Sequence, residues 1–177
     1  NVGVGYQALS ALTQGDSNVA IGYQALTALT SGGDNTIVGK TAGAAMTNNN
    51  SNVIMGLGSF GSAADGENYN VVIGASAGAS VVHADSDNNV LIGYQAATGG
   101  GAAMASCVAI GSQAMNSTAG NAQTGTIAIG KDALTALTSG SGNLAIGFEA
   151  LAGVLTGARN LALGYNTLVA ANGAESD

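Results

Sequence analysis

A five-residue word runs through the chain, polar at its first position, apolar at the next three and closed by glycine. It reads Asn-Val-Ala-Ile-Gly at 18–22 and Asn-Leu-Ala-Ile-Gly at 143–147. The closing glycines are Gly5, Gly22, Gly39, Gly56, Gly74, Gly93, Gly111, Gly130, Gly147 and Gly164, spaced by 17, 17, 17, 18, 19, 18, 19, 17 and 17 residues. Self-similarity at a nearly fixed period is the mark of a solenoid, in which each copy packs on its neighbours. Four residues before the glycine stands Asn1, Asn18, Asn35, Asn52, Asn70, Asn89, Asn143 or Asn160, with Cys107 and Thr126 in the two remaining copies. Asparagine tolerates turn conformations and bonds its own backbone, and glycine permits a positive φ. Each word therefore predicts a short strand held between two corner residues.

Side chains alternate across a strand. One face carries Val2, Val19, Thr36, Val53, Val71, Val90, Val108, Ile127, Leu144 and Leu161, together with Val4, Ile21, Val38, Met55, Ile73, Ile92, Ile110, Ile129, Ile146 and Leu163. The residue between these rows is also apolar: Gly3, Ala20, Ile37, Ile54, Val72, Leu91, Ala109, Ala128, Ala145 and Ala162. A strand apolar on both faces is buried on both. One face packs inside its own coil, and a coil this thin cannot cover the other, so a second chain is expected to cover it. The small alanines are expected to allow close packing near a symmetry axis. After the glycine, copies such as Tyr-Gln-Ala-Leu-Thr-Ala-Leu-Thr-Ser-Gly at 23–32 place Ala25, Leu26, Ala28 and Leu29 at helical spacing, with Gly32 as a cap. A two-turn helix or a short second strand is expected to close the coil. A polar turn then leads to the next strand, and the 177 residues form one repeat domain, 1–177.

Composition narrows the function. Hydrophobic residues reach 46%, charged residues only 7%, Gly is 29 and Pro is absent. This is the reverse of a disordered chain and is not collagen. Net charge is −7, and the cations are Lys40, Lys131 and Arg159. Three scattered cations cannot neutralise a phosphate backbone, so no nucleic-acid partner is expected, and no apolar run is long enough for membrane insertion. Asn1 stands inside a repeat, so the chain is expected to be a fragment of a longer fibrous chain. One cysteine excludes an intrachain disulfide.

Several local patterns imitate catalytic or metal motifs. Gly74-Ala75-Ser76-Ala77-Gly78 matches a nucleophile elbow with His83, Asp85 and Asp87 nearby, but Gly74 already belongs to the repeat. Gly56, Gly58 and Gly61 match a dinucleotide fingerprint without its βαβ unit. Asp85 and Asp87 have ligand-like spacing, but the glycine and glutamate of a calcium loop are missing. No catalytic residue, cofactor or metal is assigned, and Asp85 and Asp87 remain the weak metal candidates. Tyr6, Tyr23, Tyr94, Phe148 and Tyr165 follow the glycine and are read as edge packing ahead of sugar stacking. The longest spacings run from Gly56 to Gly130. Their extra residues are expected to bulge at 63–69, 83–88, 98–105 and 116–123, which nominates His83, Asp85 and Asn116 as a recognition surface.

The word Asn-Val-Ala-Ile-Gly-Tyr-Gln-Ala-Leu at 18–26 resembles the head repeats of trimeric autotransporter adhesins and the repeats of bacteriophage tail fibres, and the resemblance covers the whole chain. The adhesin repeat is shorter, the extra residues here falling in the second segment and turn. The resemblance implies an all-β solenoid, specifically a left-handed parallel β-roll, with three chains around one axis. It implies a structural or adhesive role in a virion tail fibre or at a cell surface, with a receptor or glycan as partner. The competing expectation is a monomeric solenoid whose flat face binds an extended lattice such as polysaccharide or ice. A hexapeptide acyltransferase is disfavoured, because no six-residue beat continues around the coil.

Overall fold

The computed structural model describes residues 1–63, 65–118 and 122–169. Among them are twelve strands and no helix: β1 (Val2–Val4), β2 (Val19–Ile21), β3 (Thr36–Val38), β4 (Val53–Met55), β5 (Val71–Ile73), β6 (Val90–Ile92), β7 (Met104–Ala105), β8 (Val108–Ile110), β9 (Gln123–Thr124), β10 (Ile127–Ile129), β11 (Leu144–Ile146) and β12 (Leu161–Leu163). The ten strands of the repeated word form one parallel sheet in chain order, and β7 pairs with β9 in a small second sheet. The chain is a parallel β-solenoid. Every word lies on the next without slippage, Val2 on Val19 at one end and Ile146 on Leu163 at the other. The longer spacings leave the register intact, Met55 pairing with Ile73 and Ile73 with Ile92. At ~4.8 Å per strand the sheet is roughly 43 Å long.

That repeat distance explains why no helix closes the coil. An α-helix is ~10 Å across and cannot stack at ~4.8 Å. The segment at 23–32 is neither the helix nor the short strand left open for it but two successive turns, Ala25 N–H bonding Gly22 O (3.3 Å) and Leu29 N–H bonding Leu26 O (3.3 Å). The donors between them leave the coil: Gln24 N–H bonds Tyr6 O (2.8 Å) in the coil before, and Leu26 N–H bonds Ala42 O (3.1 Å) in the coil after. This alternation requires positive φ at Gln24 (55°) and Leu26 (49°), and equivalent residues of the other coils follow, including Phe60 (50°), Met115 (54°) and Leu134 (52°). A bulky residue there carries a steric cost. Burial of its side chain and the bonds to both neighbouring coils oppose that cost.

The interior is a single column of side chains. The middle residue of each strand points inward, Ala20, Ile37, Ile54, Val72, Leu91, Ala109, Ala128 and Ala145 all being fully buried. The alanine row therefore lies inside the coil, where it leaves room for a larger neighbour, and not at an outer symmetry axis as the sequence suggested. Opposite it sits the residue four after the glycine, and in most coils the two volumes compensate; Ile54 with Phe60 is the exception, the Phe60 ring reaching the space left at Gly78 in the next coil. Ala20, Ala109, Ala128 and Ala145 share their coils with Leu26, Met115, Leu134 and Leu151, whereas Ile37 and Val72 share theirs with Gly43 and Gly78. A Cβ at Gly78 would stand 3.0 Å from Leu91 Cδ1 and 2.9 Å from Phe60 Cδ2.

Only Asn52 and Asn143 among the corner asparagines bond their own corner's backbone, at Asn50 O (3.1 Å) and Gly140 O (3.2 Å). The corner asparagines form a buried ladder along the axis. Asn18 donates from its N–H (2.9 Å) and Nδ2 (3.1 Å) to Asn1 Oδ1, and its Nδ2 also reaches Gly32 O (2.8 Å). Asn35, Asn52, Asn70 and Asn89 each repeat this with the asparagine before. The positive φ of the corner falls one residue earlier, at Ser17 (57°), Asp34 (59°) and Ser51 (57°). An outer ladder leans the opposite way. Gly33 N–H bonds Asn50 Oδ1 (2.9 Å), Asn50 N–H bonds Asn68 Oδ1 (2.7 Å), and Asn68 N–H bonds Asp87 Oδ1 (2.6 Å). The anchor glycines stand where backbones meet: a Cβ at Gly39, whose φ is +145°, would lie 2.3 Å from Gly56 O.

Two outcomes follow from this packing. Asn52→Ala strands the buried N–H of Asn70 and removes a donor from Asn35 Oδ1. At ~1–3 kcal/mol for each orphaned group, a loss of about 3 kcal/mol in urea unfolding is expected. A loss within ~0.5 kcal/mol, the scale of an exposed surface change, would exclude the ladder as a main support. Gly43→Leu alone overfills its coil, at about 1–3 kcal/mol, and Ile37→Ala alone leaves a cavity, at about 2–5 kcal/mol. Combined, they reproduce the alanine–leucine coil. The double variant is expected to be at least ~1 kcal/mol more stable than the sum of the two losses, and strict additivity would refute the volume exchange.

Candidate functional site

The residues flanking each inward side chain point away from the coil. They build a two-row outer face along the whole sheet, with Val2 52%, Val4 54%, Val53 40%, Met55 48%, Leu161 59% and Leu163 59% exposed. The face holds no charged residue in either row, and Thr36 is its one polar member. Three strand residues at ~3.3 Å by ten strands at ~4.8 Å give a projected area on the order of 400 Å². A contiguous patch on this scale matches the largest apolar patch of an ordinary monomer, and such patches are often functional. Of the two apolar strand faces read from the sequence, one fills the coil and the other lies open on this chain.

Beside the face runs the row that follows the anchor glycines. Tyr6 and Tyr23 stack with ring centroids 5.2 Å apart, and Lys40 Nζ lies 5.9 Å from the Tyr23 centroid. Phe148 and Tyr165 stack at 5.2 Å, with Lys131 Nζ 5.2 Å from the Phe148 centroid. Tyr94 stands exposed between the two groups. Ring stacking and cation–π contact occupy the inner faces of these rings, which favours edge packing over sugar stacking. Lys131 also contacts Asp132, and that hydrogen bond raises the pKa of its ammonium.

The recognition candidates are dispersed. His83 Nδ1 accepts the N–H of Asp85 (3.2 Å) and lies 3.7 Å from Asp85 Oδ2. Asn116 is tied inward, accepting the Thr98 hydroxyl at its carbonyl (2.8 Å) and at Oδ1. No hydrogen bond or ion pair links Asn116 to His83 or Asp85. Ala64 and residues 119–121, parts of two of the proposed bulges, lie outside the described residues. Asp87 is half-buried and committed to Asn68 N–H, while Asp85 is exposed. Among the described residues no group of three or more His, Cys, Asp and Glu could hold a metal ion. Ser76 sits in the turn after β5, its N–H on Leu57 O (2.9 Å), and no helix follows it to form an elbow. Gly56, Gly58 and Gly61 likewise lie in a turn without a following helix.

One feature of the interior escaped the sequence reading. Seven residues before the anchor, the end coils carry Gly15, Gly32, Gly140 and Gly157, whereas the central coils carry Asn49, Glu67, Ser86, Met104 and Gln123, all buried. Asn49 Nδ2 bonds Glu67 Oε2 (2.7 Å) and Ser86 Oγ accepts Met104 N–H (3.1 Å). The signal was present as a column that changes from glycine to larger residues where the spacings lengthen.

Cys107 takes the ladder position and is fully buried. Burial raises its thiol pKa, opposed by backbone hydrogen bonds with Thr126, Gly125 and Ala105. A thiol with a raised folded-state pKa contributes stability below its unfolded value and loses it as pH rises through the folded one. Relative to Cys107→Ala, the wild-type chain should therefore lose stability as pH is raised above the ordinary thiol value of 9.0. Urea midpoints of the two chains measured from pH 7 upward check this, and parallel curves would refute it.

No protein-family model, curated protein or solved structure matches the chain.

Proposed function

We propose that the chain is a structural and adhesive segment of a fibre built from three copies. Each copy is a left-handed parallel β-roll, displayed on a phage tail fibre or a bacterial surface and contributing to attachment. The observation that carries this reading is the outer sheet face, which is apolar and uncharged along its whole length. A monomer would leave it in water at a cost of ~25 cal/mol per Å². A second copy supplies a matching surface at every level, because the coils of both chains rise by the same distance. The repeated word and its resemblance to adhesin heads and tail-fibre repeats support three-fold closure, which covers the face without leaving an open edge for further growth. The turns remain outside the assembly, and those near His83 and Asp85 are the surface offered to a receptor or glycan.

Light scattering on a sizing column is the test. The expected mass is three times the 16.9 kDa of the chain. The double variant Val53→Asp, Ile73→Asp places carboxylates on the face. It should reduce the mass to that of one chain while the far-ultraviolet spectrum stays unchanged. A wild-type monomer would overturn the proposal in favour of a solenoid whose face meets a lattice directly.

A further inference from the structure

Among the described residues the asparagine ladder is interrupted once, and the interruption coincides with the buried side-chain atoms that lack a hydrogen-bond partner. From Asn1 to Asn89 each carboxamide oxygen receives the N–H of the next coil, and Asn89 Oδ1 still receives Cys107 N–H (2.9 Å). Beyond it the carboxamide is replaced twice. Cys107 offers a weakly polar sulfur that donates to Ala105 O (3.4 Å) and receives the Thr126 N–H. Thr126 Oγ1 is buried and bonds to nothing, so the side-chain link to Asn143 made elsewhere is absent here. The ladder resumes only from Asn143 to Asn160 (3.0 Å). In the same coil both amide atoms of Gln123 are buried without a hydrogen-bond partner.

These observations reinforce one another. Gln123 and Thr126 flank the corner at the level of β10, the Gln123 position pairing with Met104 and Ile127 with Val108. A buried polar atom without a partner favours the opened state, in which water satisfies it. The backbone pairing between β7 and β9 spans this boundary, with Gln123 N–H on Ala103 O (2.9 Å), and it holds the coils together without satisfying the side chains. We infer that the coil of Thr126, lying between Cys107 and Asn143, is a built-in joint, separating a long block laddered by Asn1 to Asn89 from a short block laddered by Asn143 and Asn160. The joint opens locally while the two blocks stay folded. In a solenoid this is the expected consequence of one weak coil, because each coil is held only by its neighbours.

The joint carries its own probe, since Cys107 is the chain's single cysteine. The rate at which an aromatic disulfide reagent labels Cys107 is measured on the native chain, below the unfolding transition, across low urea concentrations. For comparison, Ala42→Cys in a Cys107→Ala background places a buried thiol inside the intact laddered block. Cys107 is expected to label at least tenfold faster than the thiol at position 42, with only a shallow dependence on urea. Thr126→Asn restores a carboxamide to the ladder, and Gln123→Met replaces the orphaned amide with the side chain that the preceding coil already carries at Met104. Each is expected to slow Cys107 labelling at least tenfold, and if one variant fails to fold the other decides. Labelling as slow and as steeply urea-dependent as at position 42 would overturn the joint, as would a rate that the folded variants leave within twofold. The result does not depend on whether the chain is a trimer.

Discussion

Everything in this molecule is subordinate to the distance between neighbouring strands. Parallel strands in one sheet stand ~4.8 Å apart, so every other part of the coil must rise by the same amount. Strand pairing without slippage from β1 to β12 enforces it. A carboxamide suits this spacing, because its oxygen can receive two donors from the coil above while its nitrogen donates to the coil below and to its own coil. The corner asparagines do this with their backbones and side chains together. The outer turn repeats the device in the opposite sense through Asn50, Asn68 and Asp87. Because the two ladders lean in opposite directions, neither coil edge can tilt away without breaking bonds on one side.

The same distance decides what was legible in the sequence. The strands, their boundaries and their stacking were readable, because Asn and Gly recur at a near-constant period with three apolar residues between them. The second segment was misread because the apolar spacing of Ala25, Leu26 and Leu29 satisfies a helix and a stack of tight turns equally well. Helical periodicity reports which residues face inward, and those three are indeed buried. It does not report where the N–H groups go. The stacking distance settles that, since an object ~10 Å wide cannot repeat at ~4.8 Å. The alternating positive φ values at residues such as Gln24 and Leu26 are invisible locally, because neither residue type favours that conformation. They are imposed by the bonds each turn makes to both neighbouring coils.

Which strand face is inward was also not settled by hydrophobicity, since both are apolar. Volume settles it. A thin coil has room for little, so a large strand residue such as Ile37 stands with Gly43, and a small one such as Ala128 stands with Leu134. That covariation along the chain is a readable signal of an interior column, and the outer rows, branched at every position but Met55, show none of it. The recognition surface was legible only as loop length. His83 and Asp85 lie together, but Asn116 is held by Thr98, because a residue's place in a longer turn does not fix whether its side chain points to solvent or back to the coil.

The distribution of charge gives the outer face its direction. The acidic residues Asp16, Asp34, Asp65 and Asp85 are exposed in turns, and none stands in either row of the sheet face. Two such rods approaching turn to turn meet like charges, which costs energy at separations within the ~8 Å screening length of physiological salt. Approaching face to face, they meet matched apolar rows and no charge. In the proposed assembly the net charge of −7 would disfavour turn-to-turn contact and leave the uncharged face for a second copy. The turns that would meet a receptor are the same ones that keep the rods apart, so a ligand for them should be polar and tolerant of negative charge. Under the proposed fibre reading, adhesion and assembly would fall on different sides of one coil, and a substitution on one side would not disturb the other.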